Sequence, residues 1–113
     1  MKNKAKRLAC IDIGSNAIKY RQYRISSKKS KTFAELDTFK RISVRLGTDA
    51  FKFKKISSET EQKLLESIIR LKEKADKKDI KIISGVATSA MRTVSNGHKI
   101  CKKITKKTDI EIK

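Results

Sequence analysis

The chain has 113 residues, which suits one domain with a modest core. It is 37% hydrophobic and 37% charged, a balance too apolar for a disordered chain. Its net charge of +18 and pI near 10.2 suit polyanionic partners such as nucleic acid, an anionic membrane or polyphosphate. The lysines are scattered rather than gathered in one dense block, however. A compositional origin, as in an A+T-rich genome, explains them more simply than a dedicated partner does, and charge alone names none.

Residues 8–13 form a short apolar run that reads as a buried strand entering a turn at Asp12-Ile13-Gly14, with Cys10 as a small buried hydrophobe inside it. Residues 17–25 read as a second strand, 26–30 as a loop, and 32–44 as a third strand in which Phe33, Leu36, Phe39 and Ile42 keep an imperfect pattern. Short turns between them predict an antiparallel meander. Val44-Arg45-Leu46-Gly47 then has loop character.

The period changes at Ser57-Ser58-Glu59-Thr60-Glu61. Ser58 and Glu61 have capping-box spacing, and Leu64, Leu65, Ile68, Ile69, Leu71 and Ala75 follow as a helical stripe. Residues 79–86, carrying Ile80, Ile82, Ile83 and Val86, read as a strand covered on both faces. Residues 88–94 read as a helical turn. Ser95-Asn96-Gly97 caps a further helix with a stripe of Ile100, Cys101 and Ile104, and Ile110 and Ile112 open a last strand. The predicted order is βββαβαβ, an α/β fold with a mixed five-stranded sheet. There is no proline, internal repeat or low-complexity segment.

Several chemistries are set aside at this level. Cys10 and Cys101 lack zinc-ligand spacing, and His98, the single histidine, is expected near a helix start with no role. Met1-Lys2-Asn3-Lys4 is similar to the basic start of a signal peptide, but the apolar run that follows is short and carries Asp12. No stretch approaches the roughly 18 apolar residues of a membrane span. A soluble, cytoplasmic protein is expected.

Two constellations suit phosphate. In Asp12-Ile13-Gly14-Ser15-Asn16 a strand ends in a carboxylate and enters a turn. Glycine there tolerates positive φ and close approach of an anion, the turn N–H groups and the Ser15 and Asn16 side chains can donate, and Asp12 can hold Mg²⁺ directly or through water. On these residues alone, an ordinary hairpin turn explains the segment as well. In Ala87-Thr88-Ser89-Ala90-Met91-Arg92, small and hydroxyl residues open a helix whose free N–H groups favour an anion, and Arg92 stands one turn after Ser89. A simple N-cap with a surface arginine is equally compatible. Arg45, beside Gly47, could reach a ligand, although loop arginines are usually only solvated.

In this order and spacing, the DIGSN, RLG, ATSAMR and SNG segments, with Lys107-Thr108-Asp109-Ile110-Glu111-Ile112, resemble the exopolyphosphatase/guanosine-pentaphosphate phosphohydrolase (Ppx/GppA) family over nearly the whole chain. DIGSN alone is unspecific; the combination is not. The resemblance implies a ribonuclease-H-like half-domain of the actin/hexokinase/Hsp70 type, and Mg²⁺-dependent hydrolysis of terminal phosphoanhydride bonds. The implied partners are inorganic polyphosphate or guanosine pentaphosphate. It implies that Asp12, Gly14, Ser15 and Asn16 form the first phosphate loop, with Thr88 and Ser89 beside it, and that Arg92 contacts the phosphate chain.

The resemblance also implies that the catalytic glutamate, the last helix of the lobe and the whole second lobe with its second phosphate loop lie beyond Lys113. That would leave one sheet face under-covered. The 113 residues are therefore expected to have little or no phosphatase activity alone, and Glu111 belongs to the last strand's own pattern rather than standing in for the missing base. The alternatives are a non-catalytic basic module that binds polyphosphate or RNA, the RNA form disfavoured by an aromatic content of only 5%, mostly within strand patterns, and a decayed reading frame.

Overall fold

The computed structural model describes residues 6–113; the signal-like residues 1–4 lie outside them. The meander forms as expected. β1 (Lys6–Ile13) pairs antiparallel with β2 (Ala17–Lys28), which pairs antiparallel with β3 (Lys31–Ser43). The chain then crosses over through α1 (Leu46–Phe53) and α2 (Ser58–Lys77) to β4 (Lys81–Ala87), which lies parallel to β1. The order across the sheet is β3-β2-β1-β4. α3 (Ser89–Thr93) and α4 (Gly97–Thr108) follow.

The sheet has four strands where five were expected. The fifth is present as a single parallel bridge between Gly85 and Ile112. Hydrogen bonds from Gly85 N–H to Glu111 O, Lys113 N–H to Gly85 O and Ala87 N–H to Lys113 O give this segment the pairing of a strand laid beside β4.

One face of the sheet carries the core. Ala9, Ile11 and Ile13 of β1, Ile18 and Tyr20 of β2, and Ile82 and Ala87 of β4 are buried against Leu64, Ile68, Leu71 and Ala75 of α2 and Ile100 and Ile104 of α4. The α2 stripe is the one expected from its 3.6-residue period. Its cap is shifted by one residue. Ser57, with extended backbone (φ −67°, ψ 156°), accepts from Thr60 N–H at 3.2 Å, while Glu61 instead receives Lys103 of α4 at 2.7 Å.

Three further expectations change. The supposed loop 26–30 is largely strand, closed by a two-residue turn at Lys29 and Ser30 with φ of 50° and 66°. Both residues being left-handed gives the turn a twist that matches the strands, so the polar tip zips up without an apolar signal. The region after Val44 is helix α1, entered through a tight turn at Arg45 (φ −87°, ψ 73°) in which Leu46 N–H reaches Val44 O at 3.0 Å. Finally, β4 is covered on one face only: Ile83 and Val86 are 51% and 41% exposed, and Cys10 on the same face of β1 is half-buried. None of the described helices is long and apolar enough to cross a membrane.

Candidate functional site

The ends of β1 and β4 meet beside the turn that joins β1 to β2. Gly14 N–H closes this turn on Ala17 O at 3.0 Å. No glycine among the described residues has positive φ, so Gly14 is not there to relieve backbone strain. Its hydrogen side faces Ala17 O and the Thr88 hydroxyl, where a methyl group would stand 3.3 and 3.9 Å away. The glycine keeps this approach close.

Thr88 ties the second segment to the first. Its N–H donates to Ile13 O at 3.1 Å and its hydroxyl to the same oxygen at 3.3 Å. The parallel register of β1 and β4, which sets Ile13 opposite Ala87, makes this contact unavoidable. A third segment completes the group: Gly47, in the first turn of α1, donates its N–H to Ser15 O at 2.8 Å. Helix α1 was missed in the sequence because Arg45 and Gly47 have loop character, yet it is what braces the turn. Asp49, a buried carboxylate that accepts from Ser57 N–H at 2.9 Å, ties α1 to the start of α2.

Asp12 lies at the end of β1, on the face away from the core. One carboxylate oxygen stands 4.0 Å from the Arg21 guanidinium, which also lies over the Phe39 ring at 5.4 Å. The other, Oδ1, is buried with no hydrogen-bond partner. An orphaned buried carboxylate oxygen is costly unless something cationic or donating serves it. A hydrated Mg²⁺, which takes one or two carboxylates and keeps several waters, could meet Asp12 at its exposed Oδ2, and would serve Oδ1 only after the carboxylate turns outward. No group of three or more Asp, Glu, His or Cys among the described residues offers an all-protein metal cage.

The remaining candidates are less tightly drawn in. Asn16, Arg45 and Ser89 are exposed, with Arg45 at the start of α1 and Ser89 at the start of α3. α3 has only five residues, so its dipole contributes little. Arg92 turns back on its own strand: its Nε donates to Ala87 O at 3.0 Å. The guanidinium lines a cavity of about 340 Å³ beside Cys101, whose thiol burial pushes up and Arg92 pulls down, with a net upward shift. Among the described residues no hydrogen bond joins Arg92 to the Gly14 turn.

The SNG segment is scaffold. Asn96 forms a two-way pair with the Ile56 backbone, accepting from its N–H and donating to its carbonyl, both at 2.9 Å, while Ser95 N–H reaches Lys54 O at 3.0 Å. Its side chain therefore does not cap α4. A methyl group on Gly97 would stand 1.8 Å from Met91 O, so only glycine fits there.

No protein-family model matches the sequence, and no curated protein does. Solved structures do match. A Ppx/GppA family member from Aquifex aeolicus superposes with a TM-score of 0.84 at 19% identity, over 97% of this chain and 35% of its own. An exopolyphosphatase from Cytophaga hutchinsonii gives 0.76 at 20% identity, over 95% and 33%. An exopolyphosphatase-like protein gives 0.79 at 20% identity, over 98% and 33%. The chain thus spans about a third of the length of the structures it matches. With the observed sheet order and crossover, this likeness establishes that the chain has the α/β, actin-like half-domain fold seen in solved Ppx/GppA structures.

Proposed function

We propose that these 113 residues form the phosphate-binding half of a phosphoanhydride hydrolase of the exopolyphosphatase/guanosine-pentaphosphatase type. The carrying observation is the convergence of the Gly14 turn, Gly47 and Thr88 beside an Asp12 oxygen that lacks a partner. In this reading Gly14, Ser15 and Asn16 receive the terminal phosphates, Thr88 and Ser89 line the same mouth, and Asp12 holds Mg²⁺ through water. Mg²⁺ would supply charge neutralisation to the phosphate chain. Arg92 reaches the phosphate chain only by leaving Ala87 O, and Arg45, exposed at the start of α1, is a further contact.

Hydrolysis also needs a carboxylate that orients the attacking water and charge stabilisation from the opposite side. Asp49 is committed to Ser57. The 113 residues are therefore proposed to bind phosphate chains without turning them over. Calorimetric titration of tripolyphosphate with and without Mg²⁺ tests this. Saturable, Mg²⁺-dependent binding with phosphate release at background is expected; no binding, or turnover comparable to that of the Aquifex aeolicus protein, refutes it.

A second reading, an RNA-binding module, gains from one observation. Phe51 and Phe53 on α1 are 89% and 64% exposed, where bases could stack. It predicts that single-stranded RNA outcompetes tripolyphosphate and that Phe51→Ala weakens the RNA complex alone.

A further inference from the structure

A basic groove runs along one side of α2. Between α2 and the edge strand β3 lies a trough of about 460 Å³, lined by Lys40, Arg41, Arg70 and Lys74 with no carboxylate. Where the start of β1 meets the end of α2, a corner cavity of about 650 Å³ is lined by Lys6, Arg7, Arg24, Lys78 and Lys81 against Asp79 alone. A narrow cleft bordered by Lys40, Lys74 and Lys78 joins the two.

Lysine-rich composition does not explain this arrangement. Ser67, Arg70, Leu71, Lys74 and the C-cap Lys78 recur at helical spacing on one stripe of α2. Glu59, Glu61, Glu66, Glu73 and Asp76 of the same helix line none of the three hollows, whereas chance scattering would mix the signs. Among the described residues, Lys40, Arg70, Lys74 and Lys78 have no ion-pair partner. Burial, and then Lys74 and Lys78, push the Lys40 ammonium pKa down. Cations crowded without a counter-charge favour a bound anion. From Ser67 to Lys78 the stripe runs about 16 Å at 1.5 Å per residue, too long for a single phosphate group.

The groove continues onto the outer hairpin. Strand alternation sets Arg24 and Ser26 on the face of Tyr20 and Gln22, and Phe33, the partner of Ser26, stands with them at 46% exposure. Of the acids there, Glu35 is opposite Arg24, and Asp37 is engaged by Gln22 and Arg24. A basic groove ending on an exposed aromatic suits a chain whose charges repeat and whose bases stack. Inorganic polyphosphate supplies only the charges. We propose that a single-stranded nucleic acid lies along this groove, its phosphates on Arg70, Lys40, Lys74 and Lys78 and one base on Phe33. The proposal does not rest on the phosphate-binding reading, since none of these residues belongs to the Gly14 turn or the start of α3.

The test uses the whole chain and fluorescein-labelled 12-residue oligouridylate and oligothymidylate, followed by fluorescence anisotropy. Saturable binding of either strand is expected, with a slope of log K against log salt of about −3, as four or five neutralised phosphates give. The ratio of the two affinities tells which sugar is preferred. Lys74→Glu with Lys78→Glu should weaken binding at least tenfold, against less than threefold for Lys102→Glu with Lys106→Glu on α4, which changes net charge equally. Phe33→Ser should weaken it about fivefold at an unchanged salt slope, and Phe51→Ala should leave it as it is. All these positions are exposed, so unfolding curves should coincide. No binding of either strand, or equal losses from the two charge reversals, would overturn the proposal. So would full affinity in Phe33→Ser, the mark of a groove for any polyanion, or a loss confined to Phe51→Ala.

Discussion

Gly47 donates its N–H to Ser15 O at 2.8 Å, and a methyl group at Gly47 would stand 3.1 Å from the Ser15 Cβ. The turn after β1 is thus held by a helix residue 32 positions later in the chain. Gly47→Ala should leave stability within about 1 kcal/mol of the parent, because the gain in helix propensity offsets the crowding. It should weaken tripolyphosphate binding severalfold by displacing Ser15. Thermal unfolding and calorimetric titration on one sample separate the two effects.

Asp12→Asn tests the proposed Mg²⁺ contact. The ion pair with Arg21 is long and both side chains are more than a third exposed, so its loss costs little. The variant should unfold within a few degrees of the parent while the Mg²⁺-dependent part of tripolyphosphate affinity disappears. Undiminished Mg²⁺ dependence would remove Asp12 from the metal site.

Asp49 sets the acid limb of stability. Burial pushes its pKa up, but the Ser57 N–H, the Ser57 and Thr60 hydroxyls and nearby Lys52 more than offset this, leaving the carboxyl below its ordinary value. A carboxyl with a depressed folded pKa binds fewer protons folded than unfolded. Its contribution is therefore present above the unfolded value of about 3.9 and is lost as pH falls through the lower folded one. Asp49→Asn should cost about 2 kcal/mol at pH 7 and flatten the loss of stability below pH 4. Urea midpoints between pH 2.5 and 7 read this out.

Asn96→Ala strips Ile56 of partners for both its N–H and its carbonyl. Leaving two partly buried backbone groups unpaired should cost about 2–3 kcal/mol. Tripolyphosphate affinity of the folded fraction should hold, since Asn96 touches none of the turn. A selective loss of affinity with intact stability would instead move the SNG segment into the site.

How much of this was legible depended on which residues faced one way. The α2 stripe and the β1–β2–β3 meander could be read directly, because Leu64, Ile68, Leu71 and Ala75, and Ile11, Ile13, Ile18 and Tyr20, face a single core. Helix α1 could not. Its eight residues bury only Leu46 and Asp49, and its second position is glycine, so neither period nor propensity announces it. The hairpin tip escaped for the opposite reason: backbone pairing alone holds it, and its exposed side chains carry no pattern. At the candidate site, Gly14 and Thr88 come together because β1 and β4 run parallel in register, whereas the hydrogen bond from Arg92 to Ala87 O depends on a rotamer that no sequence encodes.

The bulge in β3 has an effect of its own. Register passes from Gln22↔Thr38 to Tyr23↔Leu36, skipping Asp37, whose carboxylate accepts from Gln22 Nε2 at 2.6 Å and from Arg24 at 3.3 Å. The bulge absorbs the extra residue, so the outer hairpin keeps the facing of its base. Phe39 and Leu36, three apart, thereby share a face that a regular strand would deny them, and Phe33 goes to the other. Deleting Asp37 would give a regular ladder with Leu36 still opposite Tyr23, so what the extra residue adds is the carboxylate that Gln22 and Arg24 share.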